Sequence, residues 1–183
     1  MMMRPVRAAL VAVVLIAPAL AAAGPSYDYL EAGYTYLDPD DFSSVDGFGI
    51  GGSMALTPNA HVVADYDRVT GSGAKAHLSR VAIGLNSYID HRSDFIVRIG
   101  YAQAKAGSRE HGFLAEVGGR IILGGLLELN SFVTYYDDTL FGGDDISLSV
   151  GAVYSFSDRF GLSARVDAST ERRVAQARLR YSF

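Results

Sequence analysis

Cysteine and tryptophan are absent from the 183 residues, and only two of the 16 basic residues, Lys75 and Lys105, are lysine. Without cysteine there is no disulfide scaffold, thiolate metal site, catalytic thiol or lipid-modified N-terminal cysteine. A formal charge of -4 argues against non-specific binding to nucleic acid. The arginine bias suits bidentate pairing with carboxylates better than plain surface solvation. Beyond the N-terminus no run reaches 18 apolar residues, which excludes a spanning helix. The length fits one domain, or at most two.

The N-terminus reads as a targeting segment. Arg4 and Arg7 form a basic start, Ala8 to Leu20 an apolar run, and Ala21-Ala22-Ala23 a small-residue cleavage site. Residues 1–23 are thus an expected signal peptide, cleaved after Ala23 at the Ala21/Ala23 pair, leaving one domain over 24–183. The alternative, a short membrane anchor, asks for more than this run supplies, since spanning takes about 20 apolar residues.

The remainder alternates with period two. From Ile146 to Phe156 every even position is apolar, while the odd ones are mostly Ser or Gly. The rhythm recurs in Phe48-x-Ile50, Val81-x-Ile83-x-Leu85, Phe95-x-Val97-x-Ile99-x-Tyr101 and Ala177-x-Leu179-x-Tyr181-x-Phe183. That pattern predicts strands with one apolar and one polar or tiny face. Turn signals divide the chain into ten, at 27–38, 46–57, 60–70, 76–89, 94–105, 111–122, 127–137, 145–156, 159–169 and 173–183. Each meets the roughly 9–11 residues of a tilted membrane strand, whereas soluble strands average about 5–6. Tight turns at 57–59, 90–94, 124–125 and 157–159 alternate with connections read as generally longer at 38–45, 71–75, 106–110 and 138–144. The expected fold is all-β, an antiparallel up-and-down transmembrane β-barrel of ten strands, with eight as the alternative and both termini at the short-turn, periplasmic end. A soluble two-layer sandwich is the competing reading.

In a barrel the apolar face lies outside. The inward candidates are Glu31, Asp65, Asp67, Arg80, Arg98, Glu116, Arg120, Arg165, Asp167, Arg178 and Arg180, interleaved with glycines. Buried charges need partners or water, so an Arg–carboxylate network filling the lumen is expected, with a closed or narrowly hydrated interior. Ten tyrosines, including Tyr27, Tyr29, Tyr66, Tyr101 and Tyr181, fall largely near strand ends, where an interfacial girdle belongs.

Catalytic motifs are missing. Gly47 to Gly52 is glycine-rich but sits in a strand and opens no helix, so it reads as lumen packing. Asp65-Tyr66-Asp67 places two carboxylates on one face, which could poise a base, with His77 and His111 the nearest histidines for a rim hydrolase. Pairing of these acids with Arg80 and Arg98 is the preferred reading. His61 and His91 fall at short turns and read as solvated. Loop acids Asp38, Asp40, Asp41, Asp46, Asp137, Asp138, Asp144 and Asp145 read as turn formers, with divalent-cation binding the lesser option. No catalytic residue, cofactor or metal site is expected.

Ser26-Tyr27-Asp28-Tyr29-Leu30-Glu31-Ala32-Gly33-Tyr34, the Phe113 to Arg120 stretch and terminal Arg178-Leu179-Arg180-Tyr181-Ser182-Phe183 resemble small bacterial outer-membrane barrels of the OmpA/OmpX-like superfamily. The chain looks similar to a ten-strand subgroup sometimes described as quorum- or diffusible-signal-regulated. The resemblance implies that Leu179, Tyr181 and Phe183 form the signal read by the barrel-assembly machinery. It also implies residence in the outer membrane of a Gram-negative cell, among outer-membrane lipid and lipopolysaccharide, as a monomer. The expected role is structural or surface-interacting, with a narrow channel for small solutes or ions as the alternative.

Overall fold

Alternating apolar and polar residues cannot form an amphipathic helix, and the chain folds accordingly into ten strands. They are β1 (Tyr29–Pro39), β2 (Val45–Thr57), β3 (Ala60–Gly71), β4 (Ala74–Asp90), β5 (Ser93–Ala106), β6 (Ser108–Leu123), β7 (Leu127–Tyr136), β8 (Asp145–Ser155), β9 (Phe160–Ala168) and β10 (Arg172–Ser182). This computed structural model describes residues 26–40, 43–71, 74–137 and 144–183. The expected signal peptide with its Ala21/Ala23 cleavage site, and the loop acids Asp41 and Asp138, lie outside the described residues.

Each strand pairs antiparallel with its sequence neighbours, and β10 returns to β1 to close the sheet. The seam runs from Tyr29 opposite Ser182 to Pro39 opposite Arg172. Closure leaves no unpaired strand edge. There is one sheet, not two stacked layers, so the sandwich alternative and the eight-strand alternative both fall.

The apolar side chains face outward. On β8, Ile146, Leu148, Val150 and Tyr154 are all more than half exposed, while their neighbours Ser147 and Ser149 are buried inside. Ten residue steps from Ile146 to Phe156, at about 3.3 Å each and tilted about 40°, cover roughly 25 Å, the height of a membrane barrel's apolar band. A continuous apolar surface on this scale is far larger than the few hundred Å² a soluble monomer tolerates.

The connections are less uneven than the composition implied. The segments at 71–75 and 106–110, expected as longer loops, are tips of tall hairpins: β3 ends at Gly71 and β4 starts at Ala74, while only Gly107 separates β5 from β6. Gly107 has a φ of 91°, a left-handed conformation that glycine adopts freely and that allows so abrupt a reversal. The glycine-rich composition signalled a tight turn here, not a loop. Long connections remain at 40–44 and 137–144. At the opposite end lie the short turns and both strand termini, with Gly124 and Gly125 at positive φ between β6 and β7.

Candidate functional site

The lumen concentrates buried polar chemistry among the described residues, because alternation sends every second residue inward. Glu116 on β6 is its central acid and is 2% exposed. It accepts from Arg98 Nη1 at 2.5 Å, Arg80 Nη1 at 3.2 Å and the Thr134 hydroxyl at 3.1 Å, with Arg165 Nη2 at 3.9 Å. Asp65 holds Arg80 Nε at 2.8 Å and Arg178 Nη1 at 2.9 Å. Asp67 takes Arg178 Nη2 at 2.7 Å and the Thr35 hydroxyl at 2.5 Å. Arg165 also reaches Asp167 at 2.9 Å. These contacts join side chains more than 100 positions apart in sequence, such as Asp65 and Arg178.

A second group closes the end where the termini lie. Arg180 meets Glu31 at 2.7 Å and Glu128 at 3.5 Å, and Arg120 meets Glu128 at 3.6 Å and Asp94 at 3.2 Å. Tyr27, just before β1, bends into the barrel. Its hydroxyl donates to Asp94 at 2.8 Å, its ring stacks on His61 at 4.2 Å, and the Arg120 guanidinium lies 4.1 Å from its centroid. Burial raises the Tyr27 phenol above its ordinary pKa, so it remains a donor. At the loop end Arg172 pairs with Asp145 at 2.8 Å and sits over the Tyr136 ring.

All eleven residues expected to face inward engage in lumen ion pairs; of the pairings first assigned to Asp65 and Asp67, that of Asp65 with Arg80 forms and those with Arg98 do not. Asp65 pairs with Arg80 and Arg178, and Asp67 with Arg178, whereas Arg98 turns to Glu116 and to His61 Nε2 at 3.0 Å. Asp94, Glu128, Asp145 and Arg172 also join, and the sequence reading omitted them. Each sits at a strand end, where Asp94 and Asp145 resembled turn or loop acids. Their parity with Arg98, Asn130, Ser147 and Arg178 was the available signal. His61, read as solvated, is instead fully buried, because its strand begins at Ala60 and already points it inward. Tyr27 and Tyr29 belong to the lumen, not to a girdle: Tyr29 lies under Arg180 at 3.9 Å.

Glycine on β2 is what admits the network. A Cβ at Gly49 would strike the Asp67 carboxylate and Arg178, and one at Gly51 would strike Asp65 and Arg178. The long arginine side chains occupy the volume that β2 leaves empty.

The lumen's cavities include one of about 90 Å³ toward the loop end and one of about 60 Å³ toward the termini. Asp65, Arg80, Arg165 and Gln176 line both and form the layer between them. The rim-hydrolase constellation is not assembled. His77 faces outward, with Nδ1 2.7 Å from the Tyr66 hydroxyl, and His111 stacks on outward Tyr101, both across the sheet from Asp65 and Asp67. Among the described residues no group of His, Cys, Asp or Glu has the arrangement of a metal site.

The chain matches no protein-family model and no curated protein. Among solved structures it is similar to a KdgM porin, with a TM-score of 0.51 and 10% identity, over 85% of this chain and 99% of the porin. It also matches the outer membrane protein OprG from Pseudomonas aeruginosa (TM-score 0.42, 13% identity, 89% and 99% covered). Neisserial surface protein A is a third (TM-score 0.40, 14% identity, 86% and 98% covered). At such identities the likeness is one of architecture: the chain has the closed antiparallel barrel fold seen in a KdgM porin.

Proposed function

We propose that this chain is a small outer-membrane β-barrel whose lumen is shut by an Arg–carboxylate network, and whose role is structural or surface-interacting. The observation that carries this reading is the opposition of the two faces. Outside, large hydrophobic residues such as Ile83, Ile99, Phe113 and Val150 are exposed. Inside, arginines are paired with acids at hydrogen-bonding distance. Hydrocarbon is the solvent that suits the first, and a closed polar interior is the only place beside it that suits the second. Export through a cleaved signal peptide and recognition of Leu179, Tyr181 and Phe183 by the assembly machinery complete the reading. Leu179 and Phe183 present their side chains outward at the end of β10.

The barrel has no assigned chemistry under this proposal. Asp65 and Asp67 are both held by arginine, Asp65 by Arg80 and Arg178 and Asp67 by Arg178, which ties up the oxygens a general base would use. Membrane fractionation and heat-modifiable gel migration test residence. Recovery wholly in the soluble periplasm overturns it.

A second reading, a narrow conduit for small solutes or ions, is favoured by the two cavities meeting at the Asp65–Arg80–Arg165–Gln176 layer. Planar-bilayer recording separates the two: steady nanosiemens openings favour the conduit, and silence favours the closed barrel.

A further inference from the structure

Beyond its apolar band, at the loop end, the outward face of β3 to β6 carries a row of basic residues. Register partners run Arg68 opposite His77, His77 opposite Lys105, and Lys105 opposite Arg109, a row across β3, β4, β5 and β6. Directly opposed residues on one face have Cβ atoms about 5 Å apart, so the row is about 15 Å long. Arg68, Lys105 and Arg109 are exposed, as is Lys75 two positions beyond His77. Both lysines of the chain are therefore at this site.

Like charges placed directly opposite destabilise a sheet. In the lumen every such arginine is offset by a carboxylate, and at the β1–β10 seam outward Arg173 has Asp38 as its register partner. No described acid pairs with Arg68, Lys105 or Arg109. The neighbouring acids stand off the row: Asp46 of β2 is opposite Thr70 of β3, Asp144 accepts from Tyr135, Asp137 lies beside Phe113 and donates its backbone N–H to that residue's carbonyl, and Glu110 has the inward parity of Glu116. An arrangement of mutually repelling cations on one face calls for an anion from outside the chain.

Position says which kind. Tyr66, Tyr101 and Phe113 lie two to four residues nearer the middle of the same strands, at the loop-side edge of the apolar band. At about 3.3 Å per residue the cations stand roughly 7–13 Å along the strands beyond that edge, within the depth of lipid headgroups. The surface exists because β4, β5 and β6 are 17, 14 and 16 residues long, against 9 in β9. From the row's charge, its height and its aromatic lower border, we infer that this face binds the phosphorylated headgroup of a lipopolysaccharide molecule in the outer leaflet. Lysine and arginine supply ammonium and guanidinium donors to phosphate oxygens, and the aromatic rings below receive the apolar part.

The inference rests on the membrane-barrel reading, and its test uses the full-length protein, exported, folded and extracted in detergent. Bound lipopolysaccharide is measured by native mass spectrometry for the unmodified protein, for R68Q/K105Q/R109Q and for R173Q as control. Loss of three surface cations should weaken binding about a hundredfold, while R173Q should bind as before. Enzymatically dephosphorylated lipopolysaccharide should bind the unmodified protein as weakly as the intact lipid binds the triple variant. Equal binding by the triple variant, or undiminished binding of the dephosphorylated lipid, overturns the site. Inorganic phosphate that displaces the lipid at matched concentration overturns the lipid as its source. Heat-modifiable migration of each variant reports folding separately, so a failed barrel is distinguishable from a failed lipid site.

Discussion

Glu116→Gln is the sharpest probe of the lumen, because the charge is removed while the shape stays. The side chain is 1% exposed and faces three arginines. Two of them keep a second acid, Arg80 through Asp65 at 2.8 Å and Arg165 through Asp167 at 2.9 Å. Arg98 does not: its remaining neighbours are neutral or aromatic, with His61 Nε2 at 3.0 Å and the Phe132 ring at 4.6 Å. The variant thus strands one guanidinium in a nearly dry site. Removing one member of a buried pair costs about 3–5 kcal/mol, and the cavity beside Arg98, with room for water, favours the lower end, about 3 kcal/mol. The assay is reversible urea unfolding in lipid vesicles, followed by the mobility difference between folded and unfolded barrel. Adding Arg98→Gln should recover part of the loss, since the double variant no longer holds an uncompensated charge. A loss below about 1 kcal/mol, or a double variant less stable than the single, would refute the claim that this pair is buried and mutually dependent.

Other consequences follow from the same geometry. Val150→Arg or Ile83→Arg puts a cation at mid-height on the hydrocarbon side and should cost about 2–4 kcal/mol in the same unfolding assay; neutrality at both positions would mean that lipid does not cover this face. Tyr27→Phe keeps the ring between His61 and Arg120 but leaves the buried Asp94 short of one donor, for an expected loss of about 1–3 kcal/mol, and Tyr27→Ala should lose more and widen the cavity at the terminal end. Deleting Phe183 should lower the outer-membrane yield without reducing export, read by fractionation; an unchanged yield would remove this residue from the assembly signal.

The ion-paired lumen and the cationic outer row put basic side chains to different uses. Inside, the planar guanidinium satisfies two carboxylates at once, as Arg178 does with Asp65 and Asp67. Outside, no acid among the described residues pairs with the two lysines and their arginine neighbours. The division follows strand parity alone, since Asp67 and Arg68 are adjacent in sequence and project to opposite sides of the sheet.

Period two was enough to find ten strands, their outward residues and the eleven inward charges, because in a pleated strand the side a residue takes depends only on whether its position is odd or even. The same rule could have reached Asp94, Glu128, Asp145 and Arg172, but at strand ends turn chemistry masks it. Which arginine meets which acid was not legible. Arg178 and Asp65 are separated by most of the chain and become neighbours only when β10 closes on β1 and β2 leaves glycine at 49 and 51. Nor could the row Arg68–His77–Lys105–Arg109 be read from composition. It depends on register, and register is a property of paired strands: a slip of one residue at any of three hairpins would have scattered those charges between lumen and lipid.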